Sequence, residues 1–137
     1  MVTYQAQIKL HQTDAAGVLF FANQLEIAHD AYEKFLSEIK FPIHYFFRSS
    51  DYFLPIVHAE SDYYIPMSVG DLITVYVGAE KIGDTSFTLA YDFIGSNNQK
   101  VGLVRTVHVC VDRQSKQKRT IPEDLRAGLE KYNYLTR

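Results

Sequence analysis

The sequence predicts an α+β fold in which one long helix lies against a five-stranded antiparallel sheet. Five segments are strand-like, and the first of them alternates strictly between polar and apolar residues, which is typical of a half-buried strand. One longer segment repeats its apolar residues at helical spacing, which predicts an amphipathic helix. Short connections join the last four strand segments and favour antiparallel neighbours. The predicted order is therefore one strand, one helix and a four-stranded meander, with the helix covering the apolar face of the sheet.

The first strand and the helix are predicted over residues 3–11 and 23–40. Four apolar residues alternate in the strand: Tyr4, Ala6, Ile8 and Leu10. Six form the stripe of the helix: Leu25, Ala28, Tyr32, Phe35, Leu36 and Ile39. Asn23, with Glu26 three residues later, matches a capping box at the helix start. Pro42 ends the helix, because the residue before a proline avoids the α region.

The remaining strands are predicted over residues 54–65, 71–82, 85–94 and 101–113, and a short helix over 122–132 with Pro122 in its first turn. Residues 42–53 form an irregular aromatic segment. Length predicts a single domain, residues 1–137. Because nothing obvious covers the edges of the sheet, we expect a second subunit.

Composition excludes several classes of function. A formal net charge of -2 argues against a nucleic-acid partner, which calls for a clearly basic surface. The only cysteine, Cys110, allows no intrachain disulfide. The first residues lack the basic start and apolar run of a signal peptide, and no apolar run approaches the roughly 20 residues that span a membrane, so we expect neither segment. We therefore expect a cytoplasmic protein with no membrane partner.

The segment most indicative of chemistry is the loop before the helix. It carries Asp14 and then small residues, Ala15, Ala16 and Gly17, which leave room for a ligand. The helix start behind it offers unpaired N–H groups and a positive dipole end. A carboxylate next to free backbone donors is what acyl transfer needs. The alternative is that Asp14 is only a turn or cap residue.

Residues 14–23 read DAAGVLFFAN and resemble the signature of the 4-hydroxybenzoyl-CoA thioesterase family of hot-dog proteins. The resemblance continues through the helix and the segment LPIVHAESDYY, and it covers residues 3–113. It implies a hot-dog fold and an acyl-CoA thioesterase that needs no cofactor. It also implies a homodimer or homotetramer with sites between subunits. Asp14 would be the catalytic carboxylate, as nucleophile through a mixed anhydride or as general base, and the Phe21 N–H would polarise the thioester carbonyl.

Two features of the sequence indicate which branch of the family it resembles. A related branch has a catalytic His where this chain has Phe21, so the resemblance favours the branch that acts on aryl-CoA. The run PIVHAE resembles thioesterases acting on 1,4-dihydroxy-2-naphthoyl-CoA, in menaquinone or phylloquinone synthesis. His58 and Glu60 would then contact substrate hydroxyls or orient water; the alternative is a polar network at a dimer interface. By family analogy, Thr85 and Ser86 would help hold the nucleotide end of CoA.

Other candidates are weaker. Four basic residues after the last strand suggest either a solvated turn, which we favour, or contacts to CoA phosphates: Arg113, Lys116, Lys118 and Arg119. His29, at the edge of the helix stripe, is more typical of a packed or exposed residue than of a catalyst. The histidines show no paired spacing for a metal. Three other functions stay open: an acyl-carrier-protein or aliphatic acyl-CoA thioesterase, a hot-dog dehydratase, and a non-catalytic acyl-CoA binding module.

Overall fold

The predicted five-stranded antiparallel sheet is confirmed in a computed structural model, which describes residues 1–134. Its strands are β1 (Val2–Gln7), β3 (Ile56–Tyr63), β4 (Leu72–Ile82), β5 (Ser86–Gly95) and β6 (Lys100–Val109). They lie in the order β1-β4-β5-β6-β3, and every neighbouring pair is antiparallel. β1 and β3 are therefore the edge strands. The last three residues of the predicted domain lie outside the described part of the chain.

The prediction of a four-stranded meander is wrong for β3. Strands β4, β5 and β6 follow one another as expected, but β3 pairs with β6 and not with β4. The eight-residue connection between β3 and β4 reaches from one side of the sheet to the other, since an extended chain of that length spans up to about 26 Å. Three inter-strand spacings amount to only about 14 Å.

The long helix α1 (Phe21–Glu38) packs against β1, β3, β4 and β6. Five of the six predicted stripe residues are buried and Leu25 is partly buried, so the prediction of its apolar face is confirmed. The helix begins two residues before the predicted start. The capping box is wrong, because the Asn23 side chain donates to the carbonyl of Gln12 at 2.8 Å and the N-cap is Phe20.

The first strand is shorter than predicted. It leaves the sheet after Gln7, and a short 3-10 helix (Leu10–Gln12) follows. Ile8 instead exchanges backbone hydrogen bonds with Gly70 and Asp71. Leu10 is consequently 77% exposed, although alternation alone placed it on the buried face.

The segment predicted to be irregular contains a helix, α2 (Ile43–Arg48), and a short strand, β2 (Tyr52–Phe53). β2 pairs with β7 (Val111–Asp112), a continuation of the chain after β6 breaks at Cys110. The predicted strand 101–113 therefore belongs to two sheets. A last helix, α3 (Glu123–Lys131), packs against β4 and buries Leu125 and Leu129.

Candidate active site

Asp14 holds the loop before α1 in shape. Its backbone N–H donates to the Val18 carbonyl at 2.9 Å, and its Oδ1 accepts from the N–H groups of Ala16 at 2.9 Å and Val18 at 3.3 Å. The side chain is exposed, and its Oδ2 has no partner among residues 1–134. Asp14 can therefore be a turn residue and a catalytic carboxylate at once, because one of its oxygens holds the turn and the other is free.

Gly17 is required by backbone conformation. Its φ is +76°, in the left-handed region that residues with a Cβ rarely adopt. A Cβ at this position would meet no atom within 4 Å. The expected open space beside Gly17 is therefore present, and the conformation of the turn adds a second reason for glycine.

The first turn of α1 presents free backbone donors. Asn23 N–H donates to the Phe20 carbonyl, whereas within the described chain the N–H groups of Phe21 and Ala22 have no acceptor. Such groups carry the positive end of the helix dipole. The Phe21 side chain is 63% exposed, and the Tyr63 hydroxyl donates to the Phe21 carbonyl at 2.7 Å, which ties the helix start to β3.

A cavity of about 440 Å³, here called the loop cavity, lies beside this turn. Its walls are Val18 and Leu19 from the loop, Phe21 and Gln24 from α1, and residues 63–67. The loop that carries Asp14 and the helix start at Phe21 therefore border the same space. Aromatic and aliphatic side chains dominate its lining, which suits an apolar acyl group.

Gln24 is fully buried where α1 meets β3 and β6. Its Nε2 donates to Ser61 Oγ at 2.8 Å and to the Asp62 carbonyl at 2.9 Å. A Cβ on Gly102 would lie 2.7 Å from Gln24 Oε1, so the glycine leaves the space that the amide fills. This contact fixes the first turn of α1 against the sheet.

The sequence analysis missed both Gln24 and Tyr63. Gln24 sits one residue before the apolar stripe, where a polar residue is usually assigned to the exposed face. Its only sequence signal is its place in the first helical turn. Tyr63 is the last residue of β3, and its contact with Phe21 depends on the topology of that strand.

His58 and Glu60 lie together on β3, where His58 Nε2 is 3.0 Å from Glu60 Oε1. Both are about half exposed, at 58% and 50%. They occupy the free edge strand, three or more residues before Tyr63 at the loop cavity. Their contact with substrate stays a prediction.

Thr85 and Ser86 lie at the opposite end of the sheet from the Asp14 loop. Ser86 pairs with Val109, while seven residues further on Phe93 pairs with Gly102, next to Gln24. Seven strand residues span about 23 Å. One chain alone does not bring these hydroxyls to Asp14, and their nucleotide-binding role stays a prediction that requires a second subunit.

The basic cluster divides into two pairs. Arg119 contacts Asp51 at 3.4 Å and Asp112 at 3.3 Å, and Arg113 donates to backbone carbonyls at the end of α2. Lys116 and Lys118 are exposed and have no acidic partner in the part of the chain that the structure describes. Two of the four side chains therefore hold the fold, and two remain available to anions.

His108 and Cys110 are buried beyond the reach of solvent. His108 Nε2 is 2.8 Å from Thr106 Oγ1, which in turn is 2.9 Å from the Tyr91 hydroxyl. Burial lowers the pKa of His108 to about 4. Burial also raises the pKa of the Cys110 thiol to about 11, so this cysteine stays protonated and unreactive at neutral pH.

Within residues 1–134, no three His, Cys, Asp or Glu side chains are grouped to hold a metal ion. None of the helices described is long and apolar enough to cross a membrane.

Comparisons with known proteins agree with this architecture. The profile of the thioesterase-like superfamily matches residues 8–129. A 1,4-dihydroxy-2-naphthoyl-CoA hydrolase of Nostoc punctiforme is 37% identical over 93% of this chain and 86% of its own length. That of Synechococcus elongatus is 37% identical over 95% and 97% of the two chains. The crystal structure of a 1,4-dihydroxy-2-naphthoyl-CoA thioesterase from Synechocystis superposes with a TM-score of 0.86, at 29% identity and 93% coverage of each chain.

Fold and sequence together thus define a hot-dog thioester hydrolase. The chain belongs to the thioesterase-like superfamily, and the family resemblance found in its sequence is confirmed.

Proposed function

We propose that this protein hydrolyses 1,4-dihydroxy-2-naphthoyl-CoA to the free acid and CoA, as a step of quinone biosynthesis. The observation that carries the proposal is the loop cavity. It is bordered by the loop that carries the Asp14 carboxylate and by the first turn of α1, whose N–H groups are free. The rings of Phe21, Tyr63 and Tyr64 line it and suit a flat aromatic acyl group. Relatives with this substrate in their names align over more than nine tenths of the chain.

In the proposed mechanism the Phe21 N–H donates a hydrogen bond to the thioester carbonyl oxygen. Negative charge grows on that oxygen as the tetrahedral intermediate forms, and a donor already in place stabilises the charge without reorganisation. The helix dipole adds to the effect. The hydrogen bond from the Tyr63 hydroxyl to the Phe21 carbonyl ties the residue that carries this N–H to β3.

Asp14 Oδ2 supplies the carboxylate chemistry. As nucleophile it attacks the carbonyl carbon and CoA thiolate leaves, after which water hydrolyses the mixed anhydride and restores Asp14. As general base it takes a proton from water while the hydroxide attacks, and the departing thiolate takes up the proton. Label in Asp14 after a single turnover in ¹⁸O-labelled water would establish the anhydride route with water attacking the Asp14 carboxyl carbon, because the general-base route leaves both oxygens of Asp14 unchanged. Attack of water on the aryl carbonyl carbon places the label in the free acid by either route.

We further propose that the active unit is a homodimer or a larger homo-oligomer joined along β3. This edge strand has one hydrogen-bonded neighbour among the described residues, and seven of its eight residues are exposed. Val57 is 60% exposed and Tyr63 is 49% exposed, an unusual apolar surface for a free edge. Sedimentation equilibrium tests this: a mass near twice 15.8 kDa or above is expected, and a monomer at working concentration contradicts it.

A panel of thioesters tests the substrate. We expect release of CoA thiol from 1,4-dihydroxy-2-naphthoyl-CoA, or its stable 1-hydroxy analogue, with kcat/KM well above that for short and long aliphatic acyl-CoA. A thiol reagent can follow the reaction, because the raised pKa of the buried Cys110 keeps the protein thiol silent. Preference for aliphatic esters or acyl-carrier-protein esters would contradict the aryl assignment. Binding without turnover on any ester would favour a binding module.

A cytoplasmic location is part of the proposal. Its support is the single free cysteine, which offers no intrachain disulfide to an oxidising compartment. Fractionation of cells that express the protein at native levels tests it.

A further inference from the structure

The loop that carries Asp14 is a short hairpin, and its base is formed by Gln12 and Phe20. The Phe20 N–H donates to the Gln12 carbonyl at 2.9 Å, and an antiparallel bridge follows inside the loop. Asp14 comes two residues after Gln12, and Phe21 comes one residue after Phe20. The proposed catalytic carboxylate and the proposed oxyanion donor are therefore joined through the base of this hairpin.

Asn23 attaches the base of the hairpin to the first turn of α1. Its Nδ2 donates at 2.8 Å to the Gln12 carbonyl, the oxygen that also accepts from the Phe20 N–H. A carbonyl oxygen has two lone pairs and no proton, so both lone pairs are used and the donor must be the amide nitrogen of Asn23. One oxygen thus closes the hairpin and binds it to the helix.

The Gln12 side chain makes a second attachment to the same face of α1. Its Nε2 donates to Glu26 Oε1 at 3.2 Å, three residues after Asn23, and its Oε1 accepts from the Lys9 N–H at 2.9 Å. Gln12 is 8% exposed, so this amide is held in a mostly buried position with both of its polar atoms paired. Gln12, Asn23 and Glu26 are here called the Gln12 cluster.

The other side of the hairpin rests on the connection between β3 and β4. The Leu19 N–H donates to the Met67 carbonyl at 2.7 Å, and the Val69 N–H donates to the Gly17 carbonyl at 3.0 Å. Neither contact involves the helix. Apart from the backbone bond that starts α1, the Gln12 cluster makes the hydrogen bonds between the hairpin and α1 within residues 1–134. The position of Asp14 relative to the helix start therefore depends on this cluster.

We propose that Gln12 and Asn23 are positioning residues, which set the Asp14 carboxylate relative to the Phe21 N–H. The proposal rests on the proposed function, because that function gives both groups their roles. Attack on the thioester carbonyl needs the carboxylate and the oxyanion donor at a fixed separation, and a displacement of about 1 Å can slow a reaction about 100-fold. Neither positioning residue lines the loop cavity, so both act through Asp14 and not on the substrate.

Asn23→Leu removes the donor and retains the approximate shape of the side chain. We expect kcat for thioester hydrolysis to fall about tenfold or more, while KM changes by less than about twofold, because the lining of the loop cavity is unchanged. Asn23→Gln keeps an amide nitrogen on a longer side chain and should recover part of the loss. The matched control is Asn97→Leu, which loses a hydrogen bond to Gln99 in the turn between β5 and β6 and should keep the wild-type kcat.

A reciprocal exchange tests the side chain of Gln12. Gln12→Glu places two carboxylates against each other at the contact with Glu26, and we expect kcat to fall severalfold. The double variant Gln12→Glu with Glu26→Gln again pairs one carboxylate with one amide and should regain most of the wild-type rate. Glu26→Gln alone keeps an acceptor for the Gln12 amide and should stay close to wild type. A double variant no faster than Gln12→Glu would overturn the assignment of Gln12.

The Asp14→Asn background shows whether the cluster acts through the carboxylate. If it does, Asn23→Leu should lower the residual rate of Asp14→Asn by less than about twofold, since no carboxylate is left to misplace. Equal loss of kcat in both backgrounds, or an unchanged kcat in Asn23→Leu, would overturn the proposal. Each rate is measured with the thioester that the wild-type protein hydrolyses fastest, so the identity of the acyl group does not affect the comparison.

Amide hydrogen exchange provides a readout that needs no substrate. The Phe20 N–H, which donates to the Gln12 carbonyl, should exchange faster in Asn23→Leu than in wild type, whereas N–H groups at the centre of the sheet should exchange at the wild-type rate. Unchanged exchange at Phe20 would overturn the proposal whether or not the protein is a hydrolase. Wild-type turnover with no effect of Asn23→Leu would overturn the role of the cluster and leave the proposed function standing. Absence of turnover on every thioester would overturn the proposed function itself.

Discussion

The start and the middle of α1 differ in how they hold their neighbouring side chains. At the start of the helix, Asp14 and the Phe21 peptide are positioned by backbone hydrogen bonds and keep one free acceptor and one free donor at the surface. Towards the middle, Tyr32 packs its ring on the buried His108, with ring centres 4.5 Å apart, and aromatic side chains surround an apolar space. The first arrangement suits charge that develops during a reaction, and the second is suited to apolar contact only.

The proposed catalytic group in this protein is not a buried one. His108 lies inside the core, where burial lowers its pKa. Asp14 lies in water with one carboxylate oxygen unpaired, and its proposed role rests on that free oxygen and on the free N–H groups at the start of α1.

The largest expected effect on stability comes from His108. Its pKa is lowered from 6.5 to about 4 by burial, so between these values the unfolded chain takes up a proton that the folded chain refuses. Stability is therefore complete above pH 6.5 and falls as the pH drops towards 4, by about 3 kcal/mol. Urea unfolding at a series of pH values measures it. His108→Gln should flatten this part of the profile, and an unchanged slope in the variant would contradict the assignment.

Gly102→Ala tests how Gln24 holds the first turn of α1 against the sheet. The added Cβ would lie 2.7 Å from Gln24 Oε1 and displace an amide that bonds Ser61 and Asp62. We expect a loss of about 2 kcal/mol in unfolding free energy, through overpacking and weakened buried hydrogen bonds. Because Gln24 lines the loop cavity, kcat for the thioester should fall as well. A lowered stability with an unchanged kcat would show that the Gln24 amide holds the fold without positioning the helix start.

Gly17→Ala measures the cost of a left-handed backbone conformation without steric crowding, whereas Gly102→Ala measures crowding. A Cβ at Gly17 meets nothing within 4 Å, so the cost is the left-handed φ of +76° alone. We expect about 1 kcal/mol of destabilisation. Chemical denaturation beside Gly102→Ala measures the difference; Gly17→Asn is the control, since asparagine tolerates this conformation better than alanine.

The smallest expected effect is that of Tyr63→Phe. The variant loses one exposed hydrogen bond to the Phe21 carbonyl and should lose about 0.5 kcal/mol of stability. If this bond positions the Phe21 peptide, kcat should fall severalfold with little change in KM, which a kinetic comparison at saturating ester measures. Unchanged kcat would remove Tyr63 from the positioning of the donor.

Much of the fold follows from local sequence. The helical spacing from Ala28 to Ile39 predicted the buried face of α1, and the turn residues between β4, β5 and β6 predicted that hairpin series. The position of β3 could not be predicted locally, because residues 64–71 are long enough either to turn back or to cross the sheet. The exposure of Leu10 depends in the same way on where the chain leaves the sheet.

The site was predicted in part. The loop motif singled out Asp14, Gly17 and Phe21: Asp14 caps the turn that contains Gly17, and Phe21 is the first residue of α1 and lines the loop cavity, which Asp14 itself does not line. Gln24 was missed because its partners, Ser61 and Asp62, arrive through the topology of β3. The aromatic composition of residues 42–53 was noted in the sequence, but their helix α2 and their pairing with β7 were not predicted, because the segment gave no periodic signal.

The central claim is that the Asp14 carboxylate performs the hydrolysis, and Asp14→Asn tests it most directly. The amide can still accept hydrogen bonds from Ala16 and Val18, so the fold should be retained and unfolding should match wild type. Turnover of the aryl thioester should fall about 100-fold or more, the range of a lost general base or nucleophile. Asp30→Asn, an exposed carboxylate on α1 away from the loop cavity, should leave the rate unchanged. A folded Asp14→Asn protein that turns over at the wild-type rate would contradict the account.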